Sequence, residues 1–281
     1  MKICRLGPVG QEIPAIFHSD GTFRNVSSII TDFSGENLHP KKLKSLSKAN
    51  ICKLPILNYD LRYGPPITGT GKFICVGLNY SDHAEETNAE VPKEPVLFMK
   101  ATSTIMGCND DIILPRGSTK SDWEVELGVV IGKTAKYVTE KDALEHVAGY
   151  MVINDLSERH FQIEREGQWV KGKSCDTFGP IGPWLVTPDE ISDPSNLAMD
   201  LSVNYKQFQN GSTSTMVFNV AHIVSYVSQF MSLQPGDIIS TGTPPGVGLG
   251  QKPPVFLKVG DRVSLGIEGL GRQMQTVVKS N

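Results

Sequence analysis

Short runs of Val, Ile, Leu and Phe, each closed by Gly, Pro or polar turn residues, recur along most of this chain. They lie at Phe73 to Val76, Val96 to Lys100, Asp111 to Leu114, Glu124 to Ile131, Tyr150 to Asn154, Leu201 to Val203, Asp237 to Ser240 and Arg262 to Ile267. Runs of this length between turn signals predict strands, and so many of them predict a β-rich body of the α+β class. Helical periodicity is scarcer. It is clearest over Phe218 to Met231, where Ile223, Val224, Val227, Phe230 and Met231 share one face and Gln234-Pro235-Gly236 ends the pattern. A second helix is predicted at Glu140 to His146 and a short one after Asn79. The first sixty or so residues differ: two short strands around Lys2 to Leu6 and Ala15 to His18 precede a polar helix at Pro40 to Ser47. The Gly- and Pro-punctuated segment Arg62 to Gly71 marks a boundary, giving a small N-terminal α/β domain, 1–66, and a large body, 67–281.

One of these runs breaks the apolar rule. In Asp122-Trp123-Glu124-Val125-Glu126-Leu127-Gly128-Val129-Val130-Ile131, two carboxylates stand two residues apart within a β-prone stretch. Side chains alternate faces along a strand, so Glu124 and Glu126 point one way while Val125 and Leu127 point the other. An exposed edge strand would leave both acids in water, but the flanking Val125, Leu127, Val129, Val130 and Ile131 predict burial on much of both faces. Two buried like charges need a partner, and a hard divalent cation is the simplest one.

Charge and cysteine content narrow the function. The 281 residues carry 27 Lys plus Arg against 30 Asp plus Glu, a formal charge of -3, with no basic run interleaved with aromatics, so nucleic acid is not an expected partner. Five scattered cysteines, Cys4, Cys52, Cys75, Cys108 and Cys175, contain no Cys-x-x-Cys pair and read as reduced thiols of a cytosolic protein. Met1 to Gly7 lacks the apolar core of a signal peptide, and the uncharged stretch Gln207 to Gly236 is interrupted too often by polar residues to span a membrane. The expectation is a cytoplasmic protein without membrane attachment.

Four further places could carry chemistry. Asp155 ends the run Tyr150 to Asp155, where an acid could be a helix cap or, with Glu124 and Glu126, a third oxygen ligand for Mg²⁺ or Mn²⁺. In Gly77-Leu78-Asn79-Tyr80-Ser81-Asp82-His83-Ala84-Glu85-Glu86, a helical turn would let His83 and Glu86 face one another, either as ordinary surface residues or as a carboxylate-oriented base. Lys171-Gly172-Lys173 offers two lysines, solvated or turned towards an anion. Ser240-Thr241-Gly242-Thr243-Pro244-Pro245-Gly246-Val247-Gly248 is a plain turn or a cradle for a carboxylate; without Gly-Lys-Ser/Thr it is no nucleotide loop.

Taken together these pieces resemble the fumarylacetoacetate hydrolase superfamily over nearly all of residues 72–268. The resemblance is carried, in order, by Val76 to His83, Pro95 to Lys100, Glu124 to Val130, Asn154 to Arg159, Lys171 to Lys173 and Thr241 to Gly248. It implies a mixed β-sandwich or β-roll with a small N-terminal domain, and a homodimer or tetramer. It further implies Mg²⁺ or Mn²⁺ on Glu124, Glu126 and Asp155, with His83 and Glu86 as a water-activating dyad in a lid. Lys173 matches a lysine that steadies a carboxylate or enolate, while Arg159, Gln162, Lys100, Thr243 and Gly242 fall around the substrate. The loop Glu86 to Pro92, of the kind that sets specificity, has no clear counterpart. With the opening Arg5 to Glu12, the whole chain looks closest to hydrolases of 2,4-diketo-3-deoxy sugar acids in bacterial L-fucose and L-rhamnose breakdown. These cleave a carbon–carbon bond to give pyruvate and a hydroxy acid such as L-lactate. Rival activities on the same metal site are oxaloacetate decarboxylation, acylpyruvate hydrolysis, dienedioate isomerisation and ureidoglycolate lysis. A noncatalytic carboxylate-binding protein would be expected to lack the His/Glu dyad, and this chain keeps both residues.

Overall fold

The computed structural model describes residues 1–58, 60–82 and 91–280. Its centre is the strand Val125–Ile131, buried at every position. Val147–Asn154 pairs antiparallel on one side of it and Ile238–Ser240 on the other. Phe73–Gly77 then joins Ile238–Ser240 in parallel, and Val96–Lys100 closes that end of the sheet. In the opposite direction the path continues through Leu185–Val186 to Lys2–Leu6, Ile13–Phe17, Phe23–Asn25 and Ile56–Leu57, so residues before 66 extend the same sheet. A second sheet of five strands runs Lys206–Ser212, Ala198–Val203, Arg262–Ile267, Gly271–Lys279, Ile112–Leu114. Both sheets are open, and the fold is strand-rich α+β, as the pattern of short apolar runs predicts.

Alternation along Val125–Ile131 builds two cores. Val125, Leu127, Val129 and Ile131 pack against Leu201, Val263, Leu265 and Val277 of the five-stranded sheet. On the other face, Val130 joins Met151, Ile153 and Phe73 beneath Phe33, Leu38, Leu43 and Leu46 of the N-terminal segment. Gly128 belongs to this second face, where a Cβ would come within 2.5 Å of the Ile153 side chain. Glu124 and Glu126 lie further along it, past the end of the apolar packing.

The helix predicted over Phe218 to Met231 forms over Val220–Phe230, capped by the Asn219 side chain, which accepts from His222 N–H. The predicted Glu140 to His146 helix is one α-turn, Glu140–Ala143, followed by a 3₁₀ turn. The helix expected after Asn79 falls largely outside the described residues. Among the described strands, two of the longer ones escape the apolar pattern. Lys206–Ser212 is a polar edge strand, and Gly271–Lys279 buries Gln273 and Gln275 where an apolar face would be expected. The amide side chains replace apolar packing with hydrogen bonds: Gln273 donates to Val152 O, and Gln275 to Cys108 O.

Candidate metal and active site

Three backbone features bring the acidic residues together. Strand alternation puts Glu124 and Glu126 on one face, the Val125↔Asn154 register sets the neighbouring strand, and Asp155 N–H donates to Glu124 O at 2.9 Å just past its end. One oxygen from each of Glu124, Glu126 and Asp155 lies within 4.8 Å of the others, and all three residues are buried. This is the grouping expected from the sequence.

Each carboxylate is held differently. Glu124 accepts from Arg159 Nη2 at 2.6 Å through one oxygen and from Lys173 Nζ at 2.6 Å through the other. Asp155 accepts from Lys100 at 2.5 Å and from Lys173 at 2.8 Å. Glu126 accepts from Ser240 Oγ at 2.5 Å and from Gly242 N–H at 2.9 Å, with no ammonium or guanidinium at ion-pair distance among the described residues. The electrostatics follow from these partners. Burial raises the Glu124 carboxyl, but Lys173 and Arg159 overcome it and bring it down to about 2. Burial together with the charges of Asp155 and Glu124 pushes Glu126 well above the carboxylate range. Burial works against the Lys173 charge, yet Asp155 and Glu124 hold the ammonium protonated above its ordinary range.

Two short helices deliver Arg159 and Lys173. Glu158 caps the helix Arg159–Ile163 by accepting from His160 N–H, and the three-residue spacing lets Arg159 Nη1 reach Gln162 Oε1 at 3.1 Å. The helix Val170–Lys173 packs against it at Gly172, where a Cβ would stand 2.4 Å from Glu158 O. Lys-Gly-Lys is therefore one buried and one exposed lysine around a glycine that permits close contact: Lys173 faces the carboxylates and Lys171 bonds Arg165 O outside.

The glycine-rich loop is stitched to the acidic strand. Thr241 and Thr243 donate their hydroxyls to Leu127 O and Val125 O, both at 2.9 Å, and Gly242 adopts φ +96° to present its N–H to Glu126. Further along, Gly248 and Leu249 N–H both donate to Asp122. The carboxylates this loop meets are thus the protein's own. Asp122 also takes Arg159 Nε at 2.8 Å, tying the loop to the guanidinium that holds Glu124. Nothing in the spacing singled Asp122 out, because its partners lie 37 and 126 residues away.

A cleft of about 80 Å³ opens over these groups. Glu124, Glu126, Arg159, Gln162, Lys173, Gly242 and Thr243 give it a polar side, and Val76, Leu78, Phe98 and Trp169 an apolar wall. Leu78 holds φ +55°, strained backbone at the cleft's rim. Phe98 and Trp169 meet edge to face at 5.2 Å. Lys100 is not among the lining residues; it lies fully buried behind Asp155. A roomier groove of about 400 Å³ beside Leu43 and Pro188 holds no comparable cluster of acids and cations, so chemistry and not volume marks the site. His83 and Glu86 lie outside the described residues.

The three carboxylates fit a hard divalent cation. They are buried oxygen donors in one cluster, and the one without a cationic partner, Glu126, is crowded by like charge.

Residues 72–278 match the family described as fumarylacetoacetate (FAA) hydrolase, C-terminal. The chain belongs to this family. A protein of Burkholderia lata whose name goes no further than a provisional hydrolase is 56% identical over 276 residues, 98% of each chain. Among solved structures, the fumarylacetoacetate hydrolase of Exiguobacterium antarcticum superposes with a TM-score of 0.89 at 36% identity, each chain covered completely. The maleylpyruvate hydrolase of Sphingobium sp. SYK-6, solved with manganese(II) and pyruvate, gives 0.83 at 27% identity, again over all of both chains. The family is one of enzymes with a shared strand-rich fold, and the acidic cluster of this chain lies inside the matched region.

Proposed function

We propose that this protein is a divalent-metal-dependent hydrolase that cleaves the carbon–carbon bond of a 2,4-diketo acid and releases pyruvate. The observation carrying this reading is the buried Glu124/Glu126/Asp155 cluster with Lys173 bridging two of its members. Charge accounting supports it. Four acidic residues, Asp122, Glu124, Glu126 and Asp155, face three cations, Lys100, Arg159 and Lys173, and the surplus acid is Glu126, where burial and like charge favour a proton. A divalent cation that displaced this proton would leave the cluster with one positive charge, which suits an anionic substrate.

Glu124, Glu126 and Asp155 would hold Mg²⁺ or Mn²⁺, which when bound polarises a carbonyl as a Lewis acid. The chain's own residues do the rest. Arg159, Gln162 and Thr243 border the cleft where the substrate carboxylate would be oriented. His83, oriented by Glu86, takes a proton from the water that attacks the C4 carbonyl. The C3–C4 bond then breaks, its electron pair passes to the pyruvate enolate, and Lys173 steadies that charge until C3 is protonated. Water supplies the oxygen of the new carboxylic acid, so atoms balance without a redox partner. The specific substrate in this reading is a 2,4-diketo-3-deoxy sugar acid of the L-fuconate or L-rhamnonate type, leaving L-lactate. The enzyme works in the cytosol as a homodimer, with residues 1–66 as an accessory unit.

The test is pyruvate release from a panel of 2,4-diketo acids with added Mg²⁺ or Mn²⁺, run beside oxaloacetate, an acylpyruvate, a dienedioate and ureidoglycolate. The sugar-acid substrate should give the highest kcat/KM, and chelator should abolish turnover. Faster turnover of oxaloacetate, or isomerisation without cleavage, would replace this reading with that activity on the same carboxylates.

A further inference from the structure

Asp155 is gripped from two sides. Lys173 reaches one oxygen from the helix Val170–Lys173, while Lys100, the last residue of the Val96–Lys100 strand, reaches the other at 2.5 Å. The Lys100 side chain is 0% exposed, does not line the cleft, and has Leu156 O as its second partner at 2.9 Å. An ammonium so placed is costly to bury, and a buried ion pair as a whole commonly adds little to stability over apolar packing, although removing one partner alone destabilises by leaving the other charge. Stability therefore gives little reason for the pair to be here. Its geometry gives another. Asp155 lies just past the end of its strand, where its N–H bond to Glu124 O fixes the backbone but leaves the side chain free to rotate; a donor from behind decides which carboxylate oxygen faces Glu124 and Glu126.

Resting on the reading of these three acids as a cation site, we propose that Lys100 is a positioning residue for the metal. It fixes the Asp155 carboxylate from the rear so that the remaining oxygen is presented to the cation and to Lys173. The sign of its effect separates this role from simple charge. By charge alone, an ammonium beside a cation site repels the cation, and removing it should tighten binding. By positioning, removing it should weaken binding, by about 10–100-fold as for other outer-shell partners of metal ligands.

The experiment measures Mn²⁺ affinity of the full chain by electron paramagnetic resonance and calorimetry for wild type, Lys100→Met, Lys100→Gln and Asp155→Asn, with the Tm of each protein in chelator. Expected is an Mn²⁺ Kd raised about 10–100-fold in Lys100→Met. The rise should be smaller in Lys100→Gln, whose amide can still donate; the cation-free Tm of Lys100→Met should fall, since Asp155 keeps only Lys173 as a cationic partner, while both variants stay folded. Unchanged or tighter Mn²⁺ binding in Lys100→Met overturns the proposal, and so does failure of both variants to fold, which would assign Lys100 to the fold. Mn²⁺ binding that Asp155→Asn leaves intact would instead sink the cation-site reading itself.

Discussion

Glu126 is buried among like charges and takes its hydrogen bonds from Ser240 and Gly242 alone among the described residues. A neutral amide of the same shape could keep those bonds through its oxygen without the charge. Glu126→Gln should therefore leave the cation-free protein at least as stable in urea melts, while Mn²⁺ affinity falls by roughly tenfold or more. A loss of stability without loss of Mn²⁺ binding would show the carboxylate serving the fold. The thiols make a second prediction at this scale. Burial pushes Cys108 up to about 12 and Cys175 up to about 11, and it carries Cys4 and Cys75 well above the ordinary thiol range, while Cys52 is exposed. The thiolate is the reacting form, so a raised pKa suppresses alkylation until the pH climbs towards it. Iodoacetamide at about pH 8 should label Cys52 first, with Cys175 gaining label only as the pH rises towards 11. Peptide mapping reads this directly, and early labelling of Cys75 would contradict the packing around it.

Between elements, the glycine-rich loop does more than turn the chain. Gly242 at φ +96° aims its N–H at Glu126, and a Cβ there would come within 3.0 Å of Asn79 and 3.1 Å of Val76 O. Gly242→Ala is expected to cost about 1–3 kcal/mol of stability, from backbone strain, and to lower turnover because the loop must shift away from Glu126. Asn219→Ala is the contrast. It removes the cap of the Val220–Phe230 helix, should cost about 1 kcal/mol, and should leave kcat/KM unchanged, since the cap's hydrogen bond is internal to the helix. Equal effects on activity would mean that global stability and not the loop governs turnover. Both elements were legible beforehand for a physical reason: Gly-Pro clusters and a 3.6-residue apolar stripe are local signals. Gly271–Lys279 was not, because its buried Gln273 and Gln275 satisfy themselves with partners far away in sequence.

For the whole molecule, a cation held only by the folded carboxylate cluster makes cation binding a stabilising event. A cation bound by the native state alone adds about 2.7 kcal/mol at a hundred times its Kd. At about 2–4 °C per kcal/mol for a chain of this size, Mn²⁺ should raise Tm by about 5–10 °C, reversibly with chelator. Asp155→Asn should abolish most of that shift, and an undiminished shift would place the cation elsewhere. No described helix is long and apolar enough to cross a membrane.

The sequence by itself determined the strand class, the positions of most central strands, and the shared face of Glu124 and Glu126, because alternation along a strand depends only on local geometry. It also ordered the motifs that identify the family over residues 72–278. Only the tertiary structure decided which cation meets which carboxylate. Lys173 spans Glu124 and Asp155, Lys100 stands behind Asp155 instead of in the cleft, and Asp122 fastens the Gly248 loop to Arg159. Those pairings join residues 18 to 126 apart, and no period or local spacing encodes contacts that form only when separate elements close on one another.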